Sequence, residues 1–238
     1  MSPIKTLFSL FILIAWSQAA QAQISVNRSV IEFTAEQPIQ DIEIRNNGDF
    51  RIYLDLKVSE IINPEREDSK RVELTDPRSA AVLVSPKQVM LPPGTRKRVR
   101  IILRDKKNTI DRVFRLAVKP YTGKVKLDPV EGDKKQSAIK VLIGYDLLLL
   151  ARPSKLNPDI KVSRTNNSIE FVNQGNTNVL LRDIQQCDAT KTDCVELQSN
   201  RLYAGEVYKV DLPRKGDASQ YPVKVLQSVG LSNSLELY

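Results

Sequence analysis

The chain states one pattern twice, in the same order, and that repetition restricts the fold more than any other feature. Ile42 to Leu54 aligns without a gap on Ile169 to Leu181. Within the alignment Ile42, Glu43, Asn46, Gly48 and Leu54 recur as Ile169, Glu170, Asn173, Gly175 and Leu181. Further along, Leu91-Pro92-Pro93-Gly94 precedes alternating Val99 and Ile101, and Leu202-Tyr203-Ala204-Gly205 precedes Val210 and Leu212. Each unit alternates apolar and polar residues on either side of a Gly/Asn turn, which reads as a strand, a turn and a strand. Two matched pairs in matching order predict two tandem β-domains of similar plan.

The first residues predict where those domains work. Lys5 precedes an apolar stretch from Leu7 to Trp16, and Ala20-Gln21-Ala22 offers small residues for cleavage. That pattern is a secretory signal over residues 1–22, too short for a spanning helix. The exported chain is then expected to begin at Gln23, long enough for two domains of about 100 residues each. The hinge is expected at Pro153 to Pro158, dividing residues 23–153 from 154–238.

Cysteine usage agrees with export. The only two, Cys187 and Cys194, bracket turn-forming residues and sit between Asp183-Ile184 and Val195-Glu196-Leu197. They are expected to face each other across a hairpin, and in an oxidising compartment to form a disulfide. A redox-active pair is the alternative, although such pairs usually lie closer in sequence. A metal site needs more ligands, and the chain has no histidine to supply one.

The missing histidines also remove Ser-His and Cys-His nucleophilic chemistry. No phosphate-cradling glycine loop and no nucleophile elbow appears. Acidic residues sit mostly in charge-mixed segments such as Glu65 to Arg71, which read as solvated loops rather than glycosidase pairs. An enzyme is not expected, and no cofactor is implied. Net charge is +8, with a dense cluster at Arg96-Lys97-Arg98-Val99-Arg100. Val99, Ile101 and Leu103 alternate beneath it, so these cations read as the outward face of a strand. An export signal argues against nucleic acid as the partner.

The remainder reads as all-β. Ile52, Leu54, Leu56 and Val58 share one strand face after Ile39, Ile42 and Ile44. Short strands punctuated by Pro, Gly and Asn fit a β-sandwich. Tyr121 to Gln136 is a charged stretch expected to form a mobile hairpin loop. Ser137 to Pro153 is the most informative strand. Its first half places Ile139, Val141 and Ile143 on one face, and its second half, Leu147 to Ala151, is apolar on both faces, as in a strand packed inside a sandwich. An alternating half that outruns the buried half offers an aliphatic ridge at a sheet edge, which invites pairing with another chain.

These residues carry a resemblance. The long strand ending Ala151-Arg152-Pro153, the segment from Val84-Ser85-Pro86 to Leu91-Pro92-Pro93-Gly94 followed by Arg98 to Ile101, and Phe114 in the preceding strand are similar to the periplasmic pilus-assembly chaperones of the chaperone–usher pathway. Ile61-Ile62-Asn63-Pro64, Ser85 to Pro92 and Val118-Lys119-Pro120 look most like the alternate, colonisation-factor-type branch. The resemblance covers essentially the whole exported chain. It implies two immunoglobulin-like β-sandwich domains set at an angle. It also implies a function: binding and capping pilus subunits by strand donation and delivering them to an outer-membrane usher, without ATP.

Carried over by position, the donor residues are Ile139, Val141 and Ile143. The common form of the family anchors the subunit's terminal carboxylate with an Arg on the first strand and a Lys on the donor strand. Here those positions hold Val30 and Leu148, which leaves Arg28 as the candidate anchor and Lys140, opposite the donor face, as a weaker one. Arg152 is expected to tie the domains together. An exposed aliphatic ridge further implies self-association of the free protein. Two rival readings remain: a secreted pilus or surface structural subunit, and a generic immunoglobulin-like binding module.

Overall fold

A computed structural model describes residues 23–121, 142–230 and 232–238. The export segment, the charged stretch after Tyr121 and the donor positions Ile139 and Val141 lie outside the described residues. The N-terminal half runs through β1 (Ile24–Val26), β2 (Val30–Phe33), β3 (Ile39–Asn46), β4 (Ile52–Ile62) and β5 (Lys70–Glu73). It continues with β6 (Val82–Ser85), β7 (Gln88–Leu91), β8 (Arg96–Leu103), β9 (Arg112–Tyr121) and β10 (Tyr145–Ala151). The C-terminal half holds β11 (Ile160–Arg164), β12 (Ser168–Asn173), β13 (Val179–Cys187) and β14 (Cys194–Glu196). After these come β15 (Asn200–Leu202), β16 (Val207–Asp211), β17 (Val223–Val229) and β18 (Ser232–Leu237). No helix occurs among the described residues.

Four sheets stack as two sandwiches. In the first, β1-β3-β8-β6 faces β2-β10-β9-β4-β5, with β7 added to β4. In the second, β11-β12-β16 faces β14-β13-β17-β18, with β15 added to β13. Each encloses its own core, built around Phe33, Leu54, Ile101 and Phe114 in one and Ile169, Phe171, Leu181 and Val225 in the other. Ile39 departs from the expected pattern: it opens β3 at the rim and is 52% exposed.

The repeated unit has one job in both halves. It carries the chain from one sheet across to the other, β3 to β4 and β12 to β13, rather than forming a hairpin. The shared asparagine is the reason it can turn there. Asn46 is fully buried; its side-chain amide donates to the carbonyls of Phe50 (2.8 Å) and Leu91 (3.0 Å), and its Oδ1 accepts from the Gly48 amide (3.0 Å). Asn173 repeats this with Thr177 (2.8 Å), Leu202 (2.9 Å) and Gly175 (3.0 Å). The second repeated segment thus reappears as the partner of the first. Leu91 and Leu202 present their carbonyls just ahead of turns in which Gly94 (φ 70°) and Gly205 (φ 78°) adopt left-handed backbone.

Cys187 and Cys194 pair across the β13–β14 ladder and are joined by a disulfide with a Cα–Cα distance of 4.0 Å. Asp188 organises the intervening loop, accepting from Thr190 Oγ1 and from the Thr192 and Asp193 amides. These bonds, led by that of Thr190, hold its carboxyl at about 2.

Candidate functional site

Among the described residues β10 has a partly open edge. On one side it pairs with β9 along its whole length, from Tyr145 opposite Val118 to Ala151 opposite Arg112. On the other side β2 runs parallel to it and covers only Leu148 to Ala151. Tyr145 to Leu147 therefore have no strand partner on that side among the described residues; by alternation with Leu148, which bonds to Ser29, the backbone groups of Asp146 are the ones of these three that face that side and could meet another strand. Upstream, Ile143 is 59% exposed and touches neither core. The outward face of the sheet beside this edge is hollowed, a space of about 670 Å³ lined by Ser59, Arg71, Ala117, Gly144 and Asp146. Arg71 spans it to grip Asp146 through two bonds of 2.7 and 3.0 Å.

Gly144 lets β10 begin where it does. A Cβ there would stand 2.7 Å from the Val118 carbonyl oxygen and 3.1 Å from Pro120 Cδ. Gly144→Ala is expected to part the two backbones at this end. Exchange of the Tyr145 amide should then quicken at least tenfold by hydrogen–deuterium exchange, with the β4 amides unchanged; an unaltered Tyr145 rate would mean that the strand is not held that closely.

The second half of β10 is buried on both faces, but for a different reason from the one the sequence suggests. Leu147, Leu149 and Ala151 enter the N-terminal core, whereas Leu148 and Leu150 meet Val113 and Tyr203, the last from the other sandwich. The outward face is therefore covered by the C-terminal half, not by a second sheet of its own domain.

That contact is stitched by Arg152, the residue after β10, which is 3% exposed. Its guanidinium donates to both oxygens of Glu32 (2.8 and 3.2 Å), to Asp111 Oδ2 (3.0 Å), to Thr177 Oγ1 (2.7 Å) and to the Asn178 carbonyl. Asp111 also accepts from Thr177 Oγ1 and from the Asn178 backbone and side-chain amides. Burial pushes the Asp111 carboxyl above the usual carboxylate range, while Arg152 and the Asn178 donors pull it back. Asn176 adds bonds to the carbonyls of Thr109 (3.0 Å) and Lys155 (2.9 Å). The Pro153–Pro158 segment thus passes over a tightly bonded junction.

Val30 and Leu148, the positions that the resemblance assigns to the anchoring cations, are register partners. Arg28 precedes β2, its guanidinium donating to Gln40 Oε1 (3.3 Å) and the Asp41 carbonyl on the exposed face. Sequence reasoning missed Asp111, Thr177, Asn178 and Tyr203. One signal was present for two of them. The second copy of the repeat places Thr177 and Asn178 where the first has Phe50 and Arg51, a polar departure inside an otherwise matched unit.

The family description "Pili and flagellar-assembly chaperone, PapD N-terminal domain" matches residues 23–157. The chain belongs to this chaperone family. Solved structures agree on the two-domain immunoglobulin-like fold of such a chaperone. The class 5 fimbriae chaperone CfaA is 19% identical, with a TM-score of 0.61 over 90% of this chain and 98% of its own. A chain of the CsuC–CsuE chaperone–tip adhesion subunit pre-assembly complex, from archaic Csu pili of Acinetobacter baumannii, is 11% identical with a TM-score of 0.58, covering 91% of this chain and 98% of that one. The complex of the Salmonella enterica SafA pilin with the SafB chaperone contains a chain 12% identical at 0.60, covering 92% and 97%. No curated protein matches the sequence.

Proposed function

We propose that the chain is a periplasmic chaperone that binds pilus subunits by adding a strand to their open sheet, and passes them to an outer-membrane usher without ATP. Residues 1–22 direct export and are removed. Residues 23–153 carry the subunit-binding strand, and residues 154–238 form the disulfide-bearing second domain. The observation that carries this reading is the half-covered edge of β10, with exposed Ile143 leading into it.

Ile139, Val141 and Ile143 are the donor side chains. Burying each in a subunit groove contributes on the order of 1.5–3 kcal/mol, and main-chain bonds along the open edge add direction. No nucleotide is needed if a subunit's own extension fills the groove better and displaces the donor. The pairings of SafB with SafA and of CsuC with CsuE in solved complexes support subunits as the partner class. Arg28 is the candidate cation for the subunit's chain end, and exposed Ile143 gives the free chaperone a reason to self-associate.

The test is capture from the periplasm with a candidate pilus subunit, comparing the parent chain with Val141→Glu and Ile143→Glu. A one-to-one complex is expected with the parent and at least a tenfold loss in each variant, with folding intact by circular dichroism. Equal retention by the variants would remove strand donation and leave a generic binding module.

A further inference from the structure

The outward face of β1-β3-β8-β6 carries a charge pattern that the fold alone does not call for. Register sets its side chains in rows across β3 and β8: Arg45 opposite Arg96, Glu43 opposite Arg98, Asp41 opposite Arg100, and Ile39 opposite Ile102. Asp41 is held by Arg100 through bonds of 2.9 and 3.1 Å. Glu43 is reached diagonally by Arg96 at 3.6 Å rather than by Arg98 across from it. Arg45 and Arg98 are left over. Both are exposed, and neither forms an ion pair with a carboxylate among the described residues. Arg45 and Arg96 stand directly opposite as like charges, an arrangement that works against the sheet.

The last row is apolar. Ile39 and Ile102 continue into Leu83 on β6, the register partner of Ile102. Ile39 is largely exposed, and the other two are half-buried. One face thus sets four arginines against two carboxylates, with an aliphatic ridge at its far end. No aromatic side chain stands in these rows, whereas protein interfaces are commonly anchored by aromatic ones. A layer of anionic headgroups asks only for positive charge and for a ridge able to enter the boundary with the acyl chains.

We propose that this face docks on the anionic phosphate headgroups of a phospholipid membrane. A lipid phosphate between Arg45 and Arg96 accepts from both guanidiniums and turns their repulsion into a shared hold. Arg98, in the adjoining row, is free for a second headgroup, while Ile39, Ile102 and Leu83 rest against the acyl boundary. The face is turned away from the sheet that contains β10, so the docked chain keeps the edge of that strand clear. The inference adds a second surface to the molecule and does not depend on what β10 binds.

The test is sedimentation of the full folded chain with vesicles at low salt, one set of phosphatidylcholine and one of equal parts phosphatidylcholine and phosphatidylglycerol. Binding is expected to the anionic set alone, and it should weaken as salt rises. Arg45→Gln and Arg98→Gln should each weaken it about fivefold, the order expected for one basic side chain near a charged membrane surface. Arg45→Gln should also melt no lower than the parent, because it removes an opposed like charge. Lys209→Gln, at an exposed position of β16 in the other sandwich, should bind as the parent does. Ile39→Ser should bind more weakly with its folding intact. Equal binding to both vesicle sets, arginine variants that bind like the parent, or a loss for Lys209→Gln as large as that for Arg98→Gln would overturn the docking face. If Ile39→Ser bound the vesicles like the parent and poly-glutamate displaced both at matching charge, the partner would be an acidic protein and the lipid assignment would fall.

Discussion

Replacing Arg152 with Ala is expected to lower stability by about 3–5 kcal/mol, because it leaves a buried carboxylate without its counter-charge. Asp111 has a side chain 3% exposed and would retain only Thr177 and Asn178 as donors. Glu32, at 31%, would lose its partner but could turn to water. The control is Arg71→Ala. That residue makes an equally short pair with Asp146, but both side chains are over 40% exposed, so the expected cost is below about 1 kcal/mol. Urea unfolding of both variants checks the contrast. A cost for Arg152→Ala no greater than that for Arg71→Ala would mean that the sandwiches are held by the apolar contact of Tyr203 and the bonds of Asp111 and Asn176, without help from the arginine.

The second large effect is expected at the paired asparagines. Asn46→Ala strips partners from the carbonyls of Phe50 and Leu91 and from the Gly48 amide. Each unsatisfied buried group costs about 1–3 kcal/mol, and some relaxation is expected, so a loss of about 3 kcal/mol follows. Asn173→Ala should cost a similar amount in the other half. Asn46→Asp should cost nearly as much despite its shape, since a carboxylate cannot donate to the two carbonyls. Thermal unfolding measures all three. A loss below about 1 kcal/mol in both alanine variants would show that water substitutes for the amide and that the repeated residue does not hold the arch.

The repeat was legible because it is local. Asn46 and Asn173 recur with their glycines two residues on, and their distant partners, Leu91 and Leu202, recur in step, so contacts far apart in the chain left matched traces in sequence. The all-apolar run Leu147 to Ala151 was legible as a strand buried on both faces, but not what buries it. Alternation reports that a face is covered and is silent on which element covers it. The junction was largely illegible for the same reason. Asp111 precedes a strand in the pattern Ile110-Asp111-Arg112, which looks like any strand entrance, and its partners lie in the other half. Ile39 shows the converse limit. It fits the alternation by type but falls at a sheet rim, where no neighbour covers it.

The parallel pairing of β2 with β10 has a consequence for how the chain folds. Every other strand pair among the described residues is antiparallel, and this one joins Val30 to Leu148, the first part of the N-terminal half to the last. The six-stranded sheet therefore cannot close until nearly all of that half has been made. At about 5–20 residues per second, the early strands wait several seconds for their partner. High contact order then slows closure itself. A chain timed this way spends that interval with its own sheet open.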